Sequence, residues 1–274
     1  MRAFRSFEFT AGLILTGIMG LAVILSPLLF PGGGMGQDLV ARLTPPLTSA
    51  EYPLGTDPLG RDILARVVVG GRISFFVGIV SALGAVVIGT VIGLFAGYYR
   101  GPWDMFLMRF ADIQLALPFI LLAMTVIAII GPGLDRIIIL MIVAQWVQYA
   151  RLIRGSVLSL RQSEYVQAAK SYGLGDLRIL FVHILPNAMG PLVILGTLNV
   201  ANNILLESSL TFLGLGIDPL IPSWGGMLAD GRNYIQTAPW VTIFPGLAIM
   251  MTVLGLNLLG DWLRDRLDPL GQTK

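Results

Sequence analysis

The sequence predicts an all-α, polytopic membrane helix bundle with about six transmembrane helices and one long polar loop between the fourth and fifth. Two observations carry that class. Of 274 residues, 55% are hydrophobic and only 12% charged, against about 25% charged in an ordinary soluble domain. The apolar residues also gather in unbroken runs close to the ~20 residues that a helix needs to cross hydrocarbon.

The runs lie near Thr10–Phe30, Ser74–Tyr98, Phe106–Ile130, Leu134–Ile153, Ala188–Leu213 and Val241–Leu259, one of them interrupted by glycine. The first follows Arg2 and Arg5, as a signal peptide would. It is longer than a usual signal core and has no Ala-x-Ala site, so it reads as a retained anchor. With the N-terminus inside, twelve of the 18 Lys and Arg fall in inner segments, among them Arg100, Arg109, Arg151, Arg154, Arg161, Lys170, Arg178 and Lys274. Six fall outside: Arg42, Arg61, Arg66, Arg72, Arg136 and Arg232. That bias predicts cytoplasmic N- and C-termini.

Polar residues within the runs come next. Gly89, Gly93 and Gly97 recur every fourth residue on one face of the second span, a stripe that lets another helix approach closely. Ionisable groups in hydrocarbon are costly, which singles out Asp112 and Glu207. Asp112 is expected to pair with Arg109 near the inner boundary. Asn202, Asn203 and Glu207 make the outer half of the fifth span polar, and serve either a translocation path or helix packing. Outside the second span, Asp57, Arg61, Asp62 and Arg66 predict a surface helix with an Asp62–Arg66 pair at i,i+4.

Several function classes are excluded by composition. There is no cysteine, hence no disulfide, thiolate metal site or thiol nucleophile. The one histidine, His183, rules out a multi-histidine metal centre and reads as a hydrogen-bonding or dipole-complementing group. The lysines Lys170 and Lys274 do not follow glycine, so a phosphate-binding loop is missing. A net charge of +2 without a basic block gives no reason to expect nucleic acid. No cofactor is implied, and ATP hydrolysis would belong to another chain.

The loop from Ser163 to Asn187 is the most informative stretch. It reads as a short helix from Glu164 to Tyr172, ended by Gly173 in the left-handed position. A second helix follows, capped by Asp176, and runs to Pro186 at the turn into the fifth span. Ala168 and Ala169 leave a patch of low relief on the first helix. The sequence Gln167-Ala168-Ala169, with Gly173 four residues on and Ile184-Leu185-Pro186 closing the loop, resembles the cytoplasmic signature of permeases in binding-protein-dependent importers of the ATP-binding-cassette class. It departs at the first position, where that signature has glutamate. Leu54-Gly-Thr-Asp-Pro-Leu-Gly-Arg-Asp62, Ser209-Leu-Thr-Phe-Leu-Gly-Leu-Gly216, Pro222-Ser-Trp-Gly-Gly226 and Leu259-Gly-Asp-Trp-Leu-Arg-Asp-Arg-Leu-Asp-Pro269 resemble the peptide and nickel permease group, in its second-permease type.

That resemblance implies the rest. Two different permeases form the path, two cytoplasmic ATP-binding subunits drive it, and an extracytoplasmic solute-binding protein delivers the solute. Residues 1–72 would be the anchor helix and extracytoplasmic segment, and 73–274 the importer permease domain, in a bacterial-type inner membrane. Gln167, Ala168, Ala169, Lys170, Gly173 and Leu174 are assigned to ATPase coupling, with Tyr165 and Tyr172 bracing the loop. The stretch Trp224 to Trp240 has aromatic ends suited to the membrane interface, and Trp224 and Arg232 are assigned to binding-protein contact. The solute class is di- or oligopeptide, with nickel or another small solute as the alternative. An ion-gradient-driven transporter would call for inverted repeats with broken helices, and no internal repeat stands out. A membrane enzyme would need paired acids, histidines or metal ligands within the spans, which the sequence lacks.

Overall fold

The computed structural model describes residues 2–267, with side chains from residue 7. The side chains of Arg2 and Arg5, the last two residues of the block ending at Pro269, and Lys274 lie outside what is described. The described chain is helical, its only β feature an isolated bridge between Thr56 and Asp62. The helices are α1 (Arg2–Leu29), α2 (Ile63–Tyr99), α3 (Pro102–Leu115), α4 (Phe119–Ile130), α5 (Leu134–Leu160), α6 (Glu164–Ser171), α7 (Asp176–Arg178), α8 (Leu185–Phe212), α9 (Trp224–Gly231) and α10 (Trp240–Leu267). A π-helical turn, Ile179–Ile184, joins α7 to α8.

Among the described residues, five helices or helical runs are long and apolar enough to span a membrane, and the bent pair α3–α4 makes a possible sixth. The bent pair corrects the expectation of one continuous span from Phe106 to Ile130. α3 and α4 meet at 88° because Pro118 has no N–H to continue the helix and keeps Leu117 out of helical geometry. α2 is also longer than expected. It starts at Ile63 and runs 37 residues without a break, so the boundary placed at residue 72 falls inside a helix.

Packing centres on α2. The glycine stripe is the reason. A Cβ on Gly89 would stand 2.5 Å from the Trp146 carbonyl oxygen, and one on Gly93 2.5 Å from that of Ala150. A Cβ on Gly97 would stand 2.8 Å from Val157 Cβ. The stripe is therefore the contact face that brings α2 against α5. α8 crosses α2 nearer its start, where Gly78 lies against Ile204 and Ile204 packs with Ile63, Val67 and Trp224. α1 is peripheral and rests mainly on α10, where Phe9 and Trp262 lie 4.5 Å apart between ring centroids. Most of the α1 surface is apolar and open, as a lipid-facing anchor requires.

Candidate functional site

At one end of the bundle α6 folds back beneath α2, α5 and the π turn. Val166 and Ala169 point inward with Leu174, Ile179, Leu180 and Ile184 into a core shared with Tyr98 and Val157. The ending of α6 is a Schellman motif. Leu174 N–H donates to the Ala169 carbonyl at 3.2 Å and Gly173 N–H to that of Lys170 at 3.0 Å, with Gly173 at φ +76°. This is the left-handed position read from the sequence.

Polar ties fix the loop to the spans. The Arg161 guanidinium donates to the Tyr98 carbonyl at 2.7 Å and lies over the Tyr98 ring. The Tyr98 hydroxyl donates to Asp176 at 2.7 Å. Asp176 is thus occupied by a tyrosine, and α7 begins at Gly175 without a side-chain cap, which corrects the expected cap. Pro186 starts no turn either. The π turn precedes it and passes directly into α8, so the position that lacks an N–H falls in the first turn of that helix. His183 consequently sits inside a continuous helical run with no helix end to complement.

The six loop residues divide by exposure. Gln167, Ala168, Lys170 and Gly173 are exposed, Leu174 is half-buried, and Ala169 is buried in the chain's own core. The open face of α6 is Gln167, Ala168, Lys170 and Ser171, continued by Tyr172. Tyr165 donates weakly to the His183 carbonyl, whereas Tyr172 stands 86% exposed and braces nothing.

Midway along the bundle lies a second group of polar side chains. Glu207 is wholly buried and accepts from Ser74 at 3.1 Å, Thr211 at 2.9 Å and Ser208 at 3.4 Å. Asn203, equally buried, donates to the Gly78 carbonyl at 3.2 Å and accepts from Gln145. These two residues join α8 to α2 and α5. Asn202 differs: it faces an open cleft of about 380 Å³ at the α3–α4 break, which Gln114, Gln145 and Gln148 also line. Asp112 pairs with Arg151 of α5, not with Arg109, and Asp104 receives two bonds from Arg154 at 2.6 and 2.8 Å. Both pairs draw α3 onto α5. The sequence reading named Asn202 and Asn203 but overlooked Gln114, Gln145, Gln148 and Asn199, although Gln145 and Gln148 stand at i,i+3 and Asn199 stands three residues before Asn202 within apolar runs.

The other end of the bundle holds a buried charge cluster instead of the expected surface helix. Asp57 accepts from Arg61 Nε at 2.6 Å and from Arg66, and both arginines reach Asp230 at 3.1 Å. Asp62 takes no part; its side chain caps α2 by accepting from Leu64 N–H at 2.9 Å. Partial burial raises the Asp62 carboxyl above the usual range, against the lowering effect of the Leu64 and Ala65 N–H groups. Trp224 is fully buried and donates to the Val67 carbonyl at 2.8 Å, and Trp240 donates to that of Thr56 at 3.1 Å. These indoles tie α9 and α10 to the α2 entrance; Trp224 has no surface to offer a partner, while Arg232 beside it is exposed. Among the described residues no group of His, Asp and Glu is arranged to hold a metal ion.

Residues 89–270 match the model of a family described as binding-protein-dependent transport system inner membrane component. The chain is 46% identical to the dipeptide transport system permease protein DppC of Alkalihalophilus pseudofirmus, over 94% of this chain and 84% of that protein. It is 46% identical to the glutathione transport system permease protein GsiD of Pectobacterium atrosepticum, over 81% of this chain and 73% of the relative. The di/tripeptide transport system permease protein DppC of Pseudomonas aeruginosa is 41% identical over 94% of this chain and 86% of its own.

Proposed function

This chain belongs to the family of binding-protein-dependent transport system inner membrane components, the permeases of ATP-binding-cassette importers, and we propose that it forms half of an import path for di- and oligopeptides. The other half is a second, homologous permease. Two cytoplasmic ATP-binding subunits drive it, one of them docked on the α6 loop, and an extracytoplasmic binding protein delivers the solute to the α9 end, where Arg232 is the exposed contact. The part of residues 1–72 that precedes α2 acts as anchor and extracytoplasmic segment, and both termini are cytoplasmic. The peptide assignment rests on the relatives just described, whose names specify dipeptide, glutathione and di/tripeptide transport.

One observation carries the coupling role. α6 is rooted by Val166 and Ala169 in the same core as α2, α5 and the π turn, while Gln167, Ala168 and Lys170 stay exposed. A partner that moves this face moves the roots of two spans with it, so that ATP binding elsewhere shifts the bundle between its states.

The test separates the two alanines. Ala168→Glu puts a charge on the open face and is expected to reduce co-purification of the ATP-binding subunits at least tenfold, with the chain inserted and folded as before. Ala169→Glu buries that charge in the chain's own core and should instead lower the yield of folded chain. Retention of the ATP-binding subunits by Ala168→Glu at the wild-type level removes α6 as the docking element.

A further inference from the structure

We propose that the cleft at the α3–α4 break is a solute-contact station that recognises the peptide main chain through neutral carboxamides. The inference rests on the import reading above and takes Asn202 for the path, leaving Asn203 and Glu207 to helix packing. The cleft lies where α5 and α8 pass the bend between Leu115 and Phe119, and Gln145, Gln148 and Asn202 line it. Its volume of about 380 Å³ falls in the roughly 300–1,000 Å³ range of small-ligand clefts. Helix-free backbone at membrane depth occurs where it is buried in protein or lines a wet cavity, and the Ala116–Pro118 break lines this one in part.

Three features point to a ligand. First, Gln145 is 4% exposed, its amide nitrogen donates to Asn203, and its Oε1 has no hydrogen-bond partner. A buried acceptor left open beside the cleft calls for a donor, which reaches Oε1 once the Gln145 side chain turns toward the cleft that it lines. Second, no ionisable residue lines the cleft. A fixed charge would hold peptides of one sign and repel the other, whereas a carboxamide offers the same donor and acceptor as a peptide bond and ignores side-chain charge. Third, the frame is held rigidly by a residue whose two amide donors are both engaged. Gln114 donates to the Val143 and Ala144 carbonyls and accepts from Trp146 Nε1 at 2.9 Å. It thereby pins the end of α3 to α5 and keeps the cleft open. Solute contact falls to the exposed amides of Gln148 and Asn202, with Gln145 buried behind them.

The test uses the full complex, with its own partner permease, ATP-binding subunits and binding protein, in proteoliposomes. Uptake of Lys-Ala is divided by uptake of Glu-Ala for the wild type and for Asn202→Asp. Selection by the binding protein is common to both and cancels. The carboxylate is expected to raise that ratio at least tenfold, and Gln148→Glu should act in the same direction. Because the chain has no cysteine, a second measurement is open: Asn202→Cys should react with a small charged thiol reagent at least tenfold faster than Asn203→Cys, and more slowly while Lys-Ala is being imported. A ratio within twofold of wild type for both acidic variants, or equal thiol reactivity at 202 and 203, overturns the station while leaving the import reading intact. A wild-type complex that imports neither dipeptide overturns the import reading, and the station falls with it.

Discussion

Asp57→Ala is expected to destabilise the chain by about 3–5 kcal/mol, the range found when one partner of a buried ion pair is removed. Asp57 is fully buried and compensates two arginines, of which Arg61 is 6% and Arg66 2% exposed. It also accepts the Leu59 and Arg61 backbone N–H groups, so its loss unties the loop before α2 as well. Asp230, the remaining carboxylate, is 36% exposed on its side chain and reaches each arginine at 3.1 Å. It is too exposed to replace Asp57, and it accepts neither the Leu59 nor the Arg61 backbone N–H. Asp230→Asn should therefore cost much less, about 1 kcal/mol or below, as for a pair open to solvent. The measurement is the unfolding midpoint of purified chain in mixed micelles. Equal midpoints for Asp57→Ala and Asp230→Asn would show that the cluster does not hold the α2 entrance.

Gly173→Val is expected to abolish coupling while leaving the bundle folded. The residue sits at φ +76°, and a Cβ built there meets nothing within 4 Å. The obstacle is therefore backbone conformation and not space. A left-handed residue other than glycine costs roughly 1–2 kcal/mol, and a β-branched one is a true outlier. Valine should open the Schellman motif, release Leu174 from Ala169 and turn the face carrying Gln167 and Ala168. Peptide imported per ATP hydrolysed should fall at least tenfold in the reconstituted complex. Gly173→Asn, which tolerates the left-handed region, should recover most of it. If asparagine is as damaging as valine, backbone conformation is not what Gly173 supplies.

How far the sequence carried the reading depended on whether a feature was local. The spans at either terminus and the long α2, α5 and α8 follow from continuous apolar runs, and the end of α6 follows from one glycine after a helical segment. The α3–α4 break was equally local, since Pro118 was in view, but an apolar run of the right length concealed it. Asp176 shows a local rule losing to tertiary structure: a good capping residue is claimed by Tyr98, 78 positions away. Most of the charge cluster lay beyond local reasoning: the Asp57–Arg61 pair is an i,i+4 contact, but Arg66 finds Asp57 nine residues back and Asp230 164 residues on. Trp224 was misplaced for a related reason. An aromatic residue beside a span suits the membrane interface, and only the fold reveals that its N–H is needed by the Val67 carbonyl inside the protein.

Site-directed crosslinking from α6 tests the coupling account most directly. With no native cysteine in the chain, Ala168→Cys can carry a single benzophenone label in the assembled complex. The account predicts crosslinks from position 168 to an ATP-binding subunit, with a yield that changes between the nucleotide-free and ATP-bound complex. The same label at exposed Val40, in the loop at the opposite end of the bundle from α6, should give none to that subunit. Crosslinks from position 168 to lipid alone, or to the ATP-binding subunit no more often than from position 40, would contradict it.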